Sequence, residues 1–283
     1  MSGGRLRAAM ATGLIKAPGC YDALSATLVE RAGFPAAYLS GFAMSAASLG
    51  APDLGLIGLD DVTSAVRRIT ACVAIPVIVD IDTGFGGPLN VRRTVREVEA
   101  AGAAGVQIED QVSPKRCGHF EDKRIVDLDE AVERVAVAVE SRRAADTVVI
   151  ARTDAVAVAG IDAAIERAQR FVSTGADVVF VEAIESTEQL AEVAAALPGT
   201  PLLYNAVEGG RSPLLPHDVL ERAGVRILIH PITLLLATIR AEQTALDALA
   251  AGRPATDATI RLARDVVRAD EAMAFRPGRA RPS

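Results

Sequence analysis

The sequence predicts an α/β chain folded as a (β/α)8 barrel, and three observations carry that prediction. A unit of amphipathic segment, glycine, short apolar run and polar residue recurs along the chain. The apolar runs are near-continuous, as parallel strands covered on both faces require, and do not alternate as half-exposed strands would. The 283 residues, half of them apolar, suffice for one barrel-sized core. The expectation is a single barrel domain over 1–283, with a long polar loop at about 111–126 and an extra C-terminal helix and tail at about 256–283.

Eight runs supply the strands: 14–17, 36–39, 77–79, 105–108, 148–151, 178–181, 201–204 and 225–229. Gly33, Gly102, Gly175 and Gly224 lead into four of them, each fitting a helix end, where a left-handed backbone costs glycine least. Helices are predicted at 22–32, 60–71, 90–101, 129–143, 161–174, 187–196, 216–223 and 232–250. Asp60, Asn90, Asp129 and Thr187 are candidate caps. A doubly wound open sheet is the competing arrangement, but no glycine-rich dinucleotide fingerprint follows the first run. The stretch 256–275 reads as one further helix with no strand of its own to cover, ahead of a basic tail.

A net charge of −6 argues against nucleic acid as the main partner and for small molecules. Cys20, Cys72 and Cys117 have no framework spacing, which points to free thiols in a reducing compartment. The start of the chain lacks the apolar core of a signal peptide, and the apolar stretch 227–239 is too short to span a bilayer. The expected location is the cytoplasm.

Polar residues close the apolar runs: Ser40, Asp80 and Asp82, Glu109, Arg152, Glu182, Asn205 and His230. In a parallel barrel these ends meet at one mouth, where catalytic groups of this fold sit. A lone Asp or Asn after a strand is usually a turn or cap; seven strand ends together read as a site. Asp80 and Asp82 are two apart, so on a strand they share a face, as a shared divalent cation needs, and Glu109 can complete the acidic floor. Cys117 lies in Lys115-Arg116-Cys117-Gly118-His119, within a polar loop that cannot be core. Its cationic neighbours favour thiolate and tune it for proton transfer. Cys20 and Cys72 read as packing residues and His217 as surface. Gly84, Gly86 and Gly87 lack the following Lys-Ser or Lys-Thr of a phosphate loop.

With these motifs the chain resembles the isocitrate lyase and phosphoenolpyruvate mutase superfamily over nearly its whole length. Lys115 to His119 matches the lyase signature, and Val79-Asp80-Ile81-Asp82-Thr83-Gly84-Phe85-Gly86 matches the metal-binding strand. Tyr38-Leu39-Ser40-Gly41, Pro52-Asp53-Leu54-Gly55, Ile108-Glu109-Asp110-Gln111, Ala151-Arg152-Thr153-Asp154 and Glu182-Ala183 also follow the family pattern. The resemblance implies a barrel with its last helix swapped between subunits of a homotetramer, and Mg2+ or Mn2+ at the mouth. It makes Asp82 the direct metal ligand, with Asp80 and Glu109 acting through water. Ser40, Gly41 and Phe42 would bind a 2-oxo acid through main-chain N–H groups and Arg152 would neutralise it. Glu182 and Asn205 would orient the other end. Cys117, on a gating loop with Lys115, Gly118 and His119, would be the general acid, and Tyr38 and Asp53 would support proton movement.

The implied reaction is carbon–carbon cleavage of a 2-hydroxy di- or tricarboxylate to a 2-oxo acid and a carboxylate. Family methylisocitrate lyases carry a Thr where Val207 stands and Tyr-Pro at His230-Pro231, with an Arg soon after; here the next is Arg240. Losing that cation and hydroxyl favours a 2-alkylmalate over methylisocitrate. Alternatives are a carboxyphosphoenolpyruvate phosphonomutase, which shares the loop signature, an oxaloacetate decarboxylase or hydrolase, which His230 resembles, and a non-catalytic scaffold barrel.

Overall fold

A computed structural model describes residues 2–118 and 122–274. The chain divides into two compact units, Met1–Leu235 and Leu236–Ser283. In the first, α1 (Ser2–Ala11) and β1 (Ile15–Cys20) are followed by α2 (Ala23–Arg31), β2 (Ala37–Leu39), α3 (Gly41–Met44) and one π-helical turn, Ser45–Leu49. Next come α4 (Leu59–Thr70), β3 (Val77–Asp80), α5 (Pro88–Ala100), β4 (Gly105–Glu109), α6 (Leu128–Ser141) and β5 (Val148–Thr153). Then follow α7 (Val156–Ala159), α8 (Ile161–Ser173), β6 (Val178–Val181), α9 (Thr187–Ala196), β7 (Leu202–Asn205), α10 (His217–Arg222) and β8 (Val225–His230). Helix α11 (Thr233–Ala250) begins here; its remainder, α12 (Ile260–Val266) and α13 (Ala269–Ala274) belong to the second unit. No helix among the described residues is long and apolar enough to cross a membrane.

The eight strands are parallel and form a closed barrel in sequence order, β8 pairing back onto β1 through Ile15–Ile227 to Pro18–His230. Alternation along each strand sorts side chains into two layers. Tyr38, Ile78, Ile150, Phe180, Leu203, Ile227 and Ile229 point into the barrel. Leu39, Val79, Val106 and Val149 face the surrounding helices on one side, and Val179, Leu202 and Leu228 on the other. Both layers are fully buried, which is why the runs carried no alternation. Burying one such side chain contributes about 1.5–3 kcal/mol.

Gly33, Gly102, Gly175 and Gly224 all have positive φ just past their helices, as expected. The caps lie one to three residues before the predicted ones. Ser186 accepts from Gln189 N and Asp127 from Glu130 N, while Gly58 and Gly87 open α4 and α5. Pro88 at the first turn of α5, where a missing N–H costs nothing, explains the earliest of these starts. Sequence reading missed α1 altogether. Leu6 and Met10 join the barrel-interior layer, and Gly4 N donates to Asp146 Oδ2 at 2.8 Å. The single helix expected at 256–275 is instead two short ones. Arg268, at φ 51°, lies between them, where a left-handed residue breaks the helical hydrogen-bond ladder.

Candidate active site

The inward layer continues past the strand ends and delivers the polar residues to a cavity of about 220 Å³ at the mouth. Tyr38, Ser40, Phe42, Asp53, Asp80, Lys115, Cys117, Gly118, Arg152, Glu182 and Asn205 all line it. Asp80 follows inward-facing Ile78 by two, but Asp82 does not share its strand as the spacing implied. It lies past β3 at φ 48°, in a left-handed turn stabilised by donation from its own N–H to Asp80 Oδ1 at 3.1 Å. Asp80 Oδ2 and Asp82 Oδ1 nevertheless face one spot, lying 3.3 and 3.4 Å from where a Cβ on Gly41 would stand. Ser40 caps α3, its hydroxyl accepting from Ala43 N at 3.3 Å, so its side chain has a structural role as well.

Lys115 reaches down from the loop and pairs with Asp53 at 2.7 Å and Asp82 at 2.8 Å. Burial works against its ammonium, but Asp82, Asp53 and Glu109 outweigh that and hold its pKa well above the usual value. Lys115 is therefore a fixed cation and not a base. Burial pushes the Tyr38 phenol well up, with Asp80 adding to it, so Tyr38 stays protonated. Burial, against the pull of Lys115, raises Asp82 to about 7, and it raises Glu109 well above the carboxylate range against Arg152.

Arg152 is the hub of the other wall. Its Nε and Nη2 donate to the two oxygens of Asp154 at 2.8 and 3.0 Å, a bidentate pair, and its guanidinium stacks 5.1 Å from the Phe180 ring. Glu109 and Glu182 each approach it at 3.4 Å, and Asn205 donates to Glu182 at 3.1 Å. Asp154 is held below the usual carboxylate range: Arg152 and Lys123 overcome the cost of burial.

The described residues contain no group of three His, Cys, Asp or Glu at metal-ligating spacing. The chemistry of the site still fits a divalent cation held partly through water. Among the described residues around the mouth, the buried carboxylates of Asp53, Asp80, Asp82, Glu109, Asp154 and Glu182 outnumber the buried cations Lys115, Lys123 and Arg152, while buried Asp110 is paired with Arg167 and Arg134 is bound to loop carbonyls. Glu109 Oε1 has no hydrogen-bond partner among the described residues, and Asp82 Oδ1 has the ion pair with Lys115. Buried oxygens in that condition cost stability unless a cation or water satisfies them.

The loop is folded over this cavity. Gln111 and Ile125 form an antiparallel bridge at its neck, and the Gln111 amide pairs with the Arg116 backbone through bonds of 2.8 and 3.0 Å. Cys117 N donates to Asp53 O at 3.2 Å, which brings the thiol to the cavity. Two buried arginines hold the loop's roots. Arg134 donates to the carbonyls of Glu109 and Gln111, and Arg167 to the Val126 carbonyl and to Asp110. His119, predicted at this site, lies outside the described residues.

Among the predicted residues that do not line the cavity are Gly41, Asp82, Glu109 and, on β8, His230. It neighbours inward-facing Ile229 on β8 and so points the other way; Ile229 and Pro231 line the cavity and it does not. Burial lowers its pKa, against Glu208. Lys123, Asp154, Arg134 and Arg167 were missed as site residues. Asp154 could have been found, since it has the inward parity of Arg152.

Fold and site together define a (β/α)8-barrel enzyme in which a loop carries a thiol to an acid-lined mouth. The family model described as phosphoenolpyruvate phosphomutase matches residues 6–250. The chain is 47% identical over 233 residues to a 2-methylisocitrate lyase from Aeropyrum pernix, covering 82% of this chain and 74% of that one. It is 42% identical over 228 residues to a 2,3-dimethylmalate lyase from Eubacterium barkeri, covering 81% and 78%. The solved structure of an oxaloacetate acetylhydrolase with the inhibitor 3,3-difluorooxalacetate superposes with a TM-score of 0.91 at 37% identity, covering 96% and 95%. The chain belongs to the phosphoenolpyruvate phosphomutase family, within the isocitrate lyase and phosphoenolpyruvate mutase superfamily.

Proposed function

We propose that this protein is a carbon–carbon lyase cleaving a 2-hydroxy di- or tricarboxylate, of the 2-alkylmalate or 2-methylisocitrate type, to a 2-oxo acid such as pyruvate and a second carboxylate. The observation that carries this reading is the meeting, in one cavity, of the loop thiol of Cys117 with Lys115, Arg152, Glu182 and Asn205. Asp82, with Asp80 and Glu109 through water, would hold Mg2+ or Mn2+. When bound, such a cation supplies Lewis-acid polarisation of substrate oxygens. Arg152 neutralises the carboxylate of the 2-oxo acid portion, and the backbone at Ser40, Gly41 and Phe42 positions it. Glu182 and Asn205 orient the departing fragment. Cys117 protonates that fragment's carbanion, and the folded loop keeps bulk water from doing so first.

Val207, Ile229, Pro231 and Ile232 give the cavity an apolar lining, beside the acid Glu208. Among the described residues its lining cations, Lys115 and Arg152, are both engaged by acids, so a third substrate carboxylate would find no cation of theirs to spare. That supports 2-alkylmalates as the preferred class. We further propose a cytoplasmic homotetramer, supported by cysteines that form no disulfide and by the exposed apolar side chains of Leu246, Leu249, Ile260 and Leu262 in the second unit.

The test is a panel of 2-alkylmalates, 2-methylisocitrate, oxaloacetate and phosphonopyruvate with Mg2+, scored for pyruvate, glyoxylate, oxalate and CO2, with and without EDTA. Pyruvate from 2-alkylmalates, lost in EDTA, is the expected result. Oxalate from oxaloacetate alone would place the protein with the acetylhydrolases and end the lyase reading.

A further inference from the structure

Lys123 is almost wholly buried, although it belongs to a polar loop whose neighbouring Asp122 and Arg124 are exposed. Its ammonium donates to Gly118 O at 2.6 Å and to Asp154 Oδ1 at 2.8 Å. Asp154 belongs to the barrel, and its carboxylate also orients Arg152 through both oxygens. One cation therefore joins the backbone beside Cys117 to the carboxylate behind Arg152. Burying an ammonium is costly unless it is paired, so Lys123 can occupy this position only while both partners are present. Gly118 completes the fit: the backbone there lies against Arg152 and Glu182 so closely that a Cβ would stand 2.6 and 2.7 Å from their side-chain atoms.

We propose that Lys123 and Asp154 are positioning residues forming a buried latch, which locks the loop with Cys117 at the cavity and fixes Arg152 in the same event. The inference deepens the lyase reading, because the latch sets when the thiol and the carboxylate-binding arginine are both in place. Removing the Lys123 ammonium leaves Asp154 to hold Arg152 through both oxygens and disturbs the alignment of the proton donor, so the loss falls on kcat more than on KM. A donor misplaced by a fraction of its working distance costs about a hundredfold in rate.

The experiment compares wild type with Lys123→Ala in the full-length protein by steady-state kinetics on the best substrate of the panel. Added ethylammonium tests whether the missing cation can be restored, and trypsin cleavage within 111–126 reports loop opening, since Arg116 and Arg124 offer exposed sites. Expected for Lys123→Ala are a kcat about a hundredfold lower with KM nearly unchanged, partial recovery with ethylammonium, and faster cleavage in the loop. Wild-type kinetics, or a loss that ethylammonium leaves untouched with cleavage no faster than wild type, overturns the latch. Lys123→Met, which keeps the stem, carries the same cleavage and kcat comparison if the alanine variant does not fold. If wild type turns over nothing in the panel, the lyase reading fails while cleavage still judges the latch: faster in the variant supports it, equal overturns it.

Discussion

At the scale of single residues the site depends on contacts that leave no room and on charges that cannot be left alone. Gly118→Ala is expected to lower kcat/KM roughly ten- to a hundredfold, because overpacking of this kind costs about 1–3 kcal/mol. The melting temperature should hold, since the loop can lift; steady-state kinetics beside a thermal melt checks both, and unchanged kinetics defeats the close approach. Asp154→Asn is expected to destabilise by about 3–5 kcal/mol at neutral pH, leaving Arg152 and Lys123 short of their anion. The folded carboxyl titrates below its ordinary 3.8, so its contribution is fully present above that value and is lost as pH falls beneath it. The gap between wild type and variant in urea melts should stay constant from about pH 8 to 5 and narrow below about 4. A gap that closes between pH 8 and 5 contradicts the assignment. His230 shows what the sequence could not resolve at this scale. On a strand buried on both faces nothing in the composition marks which parity points inward, whereas Asp154, two after Arg152, was legible by counting.

Elements were legible where repetition and glycine punctuation agreed, and less so where a short segment acts through one or two side chains. All eight strands lie where apolar runs and their closing polar residues put them, within a few residues. Helix α1 was not, because Ser2-Gly3-Gly4 is poor helix-forming sequence and its stability comes from docking: Gly3 leaves no room for a Cβ against Asp146 O. Arg7 donates to Asp146 O at 2.9 Å and pairs with Asp177 at 2.8 Å, fastening α1 to the segments before β5 and β6. Leu6, fully buried, fills the barrel floor. Leu6→Ala is expected to cost about 2–5 kcal/mol, read from the urea midpoint at unchanged slope, whereas a cost below about 1 kcal/mol would mean α1 is ornamental. The Asp82 turn was equally hidden, since strand periodicity ends two residues before it.

At the scale of the whole molecule, the barrel gathers residues from 38 to 232 into one mouth. That gathering was legible from the strand ends alone, before any side-chain contact was known. What the sequence did not disclose is how the loop is rooted, because Arg134 and Arg167 come from helices α6 and α8 and meet the loop only in three dimensions. The second unit exposes Leu246, Leu249, Ile260, Leu262, Val267 and Met273, apolar side chains that a subunit contact would cover. Sedimentation equilibrium should return four times the chain mass at micromolar concentration, and charged substitutions at Leu246 and Ile260 should reduce it; a monomer in the wild type sinks the tetramer.

The rooting of the loop on both sides also bears on stereochemistry. With Gln111 and Ile125 bridged at its neck and Cys117 at the cavity, the loop presents its sulfhydryl to the substrate from a single side. With a substrate substituted at C3, such as 2,3-dimethylmalate, turnover in D2O should then place deuterium on only one of the two enantiotopic positions of the released carboxylate, giving an optically active product. A racemic label would mean the hydrogen came from solvent wandering freely above an open barrel.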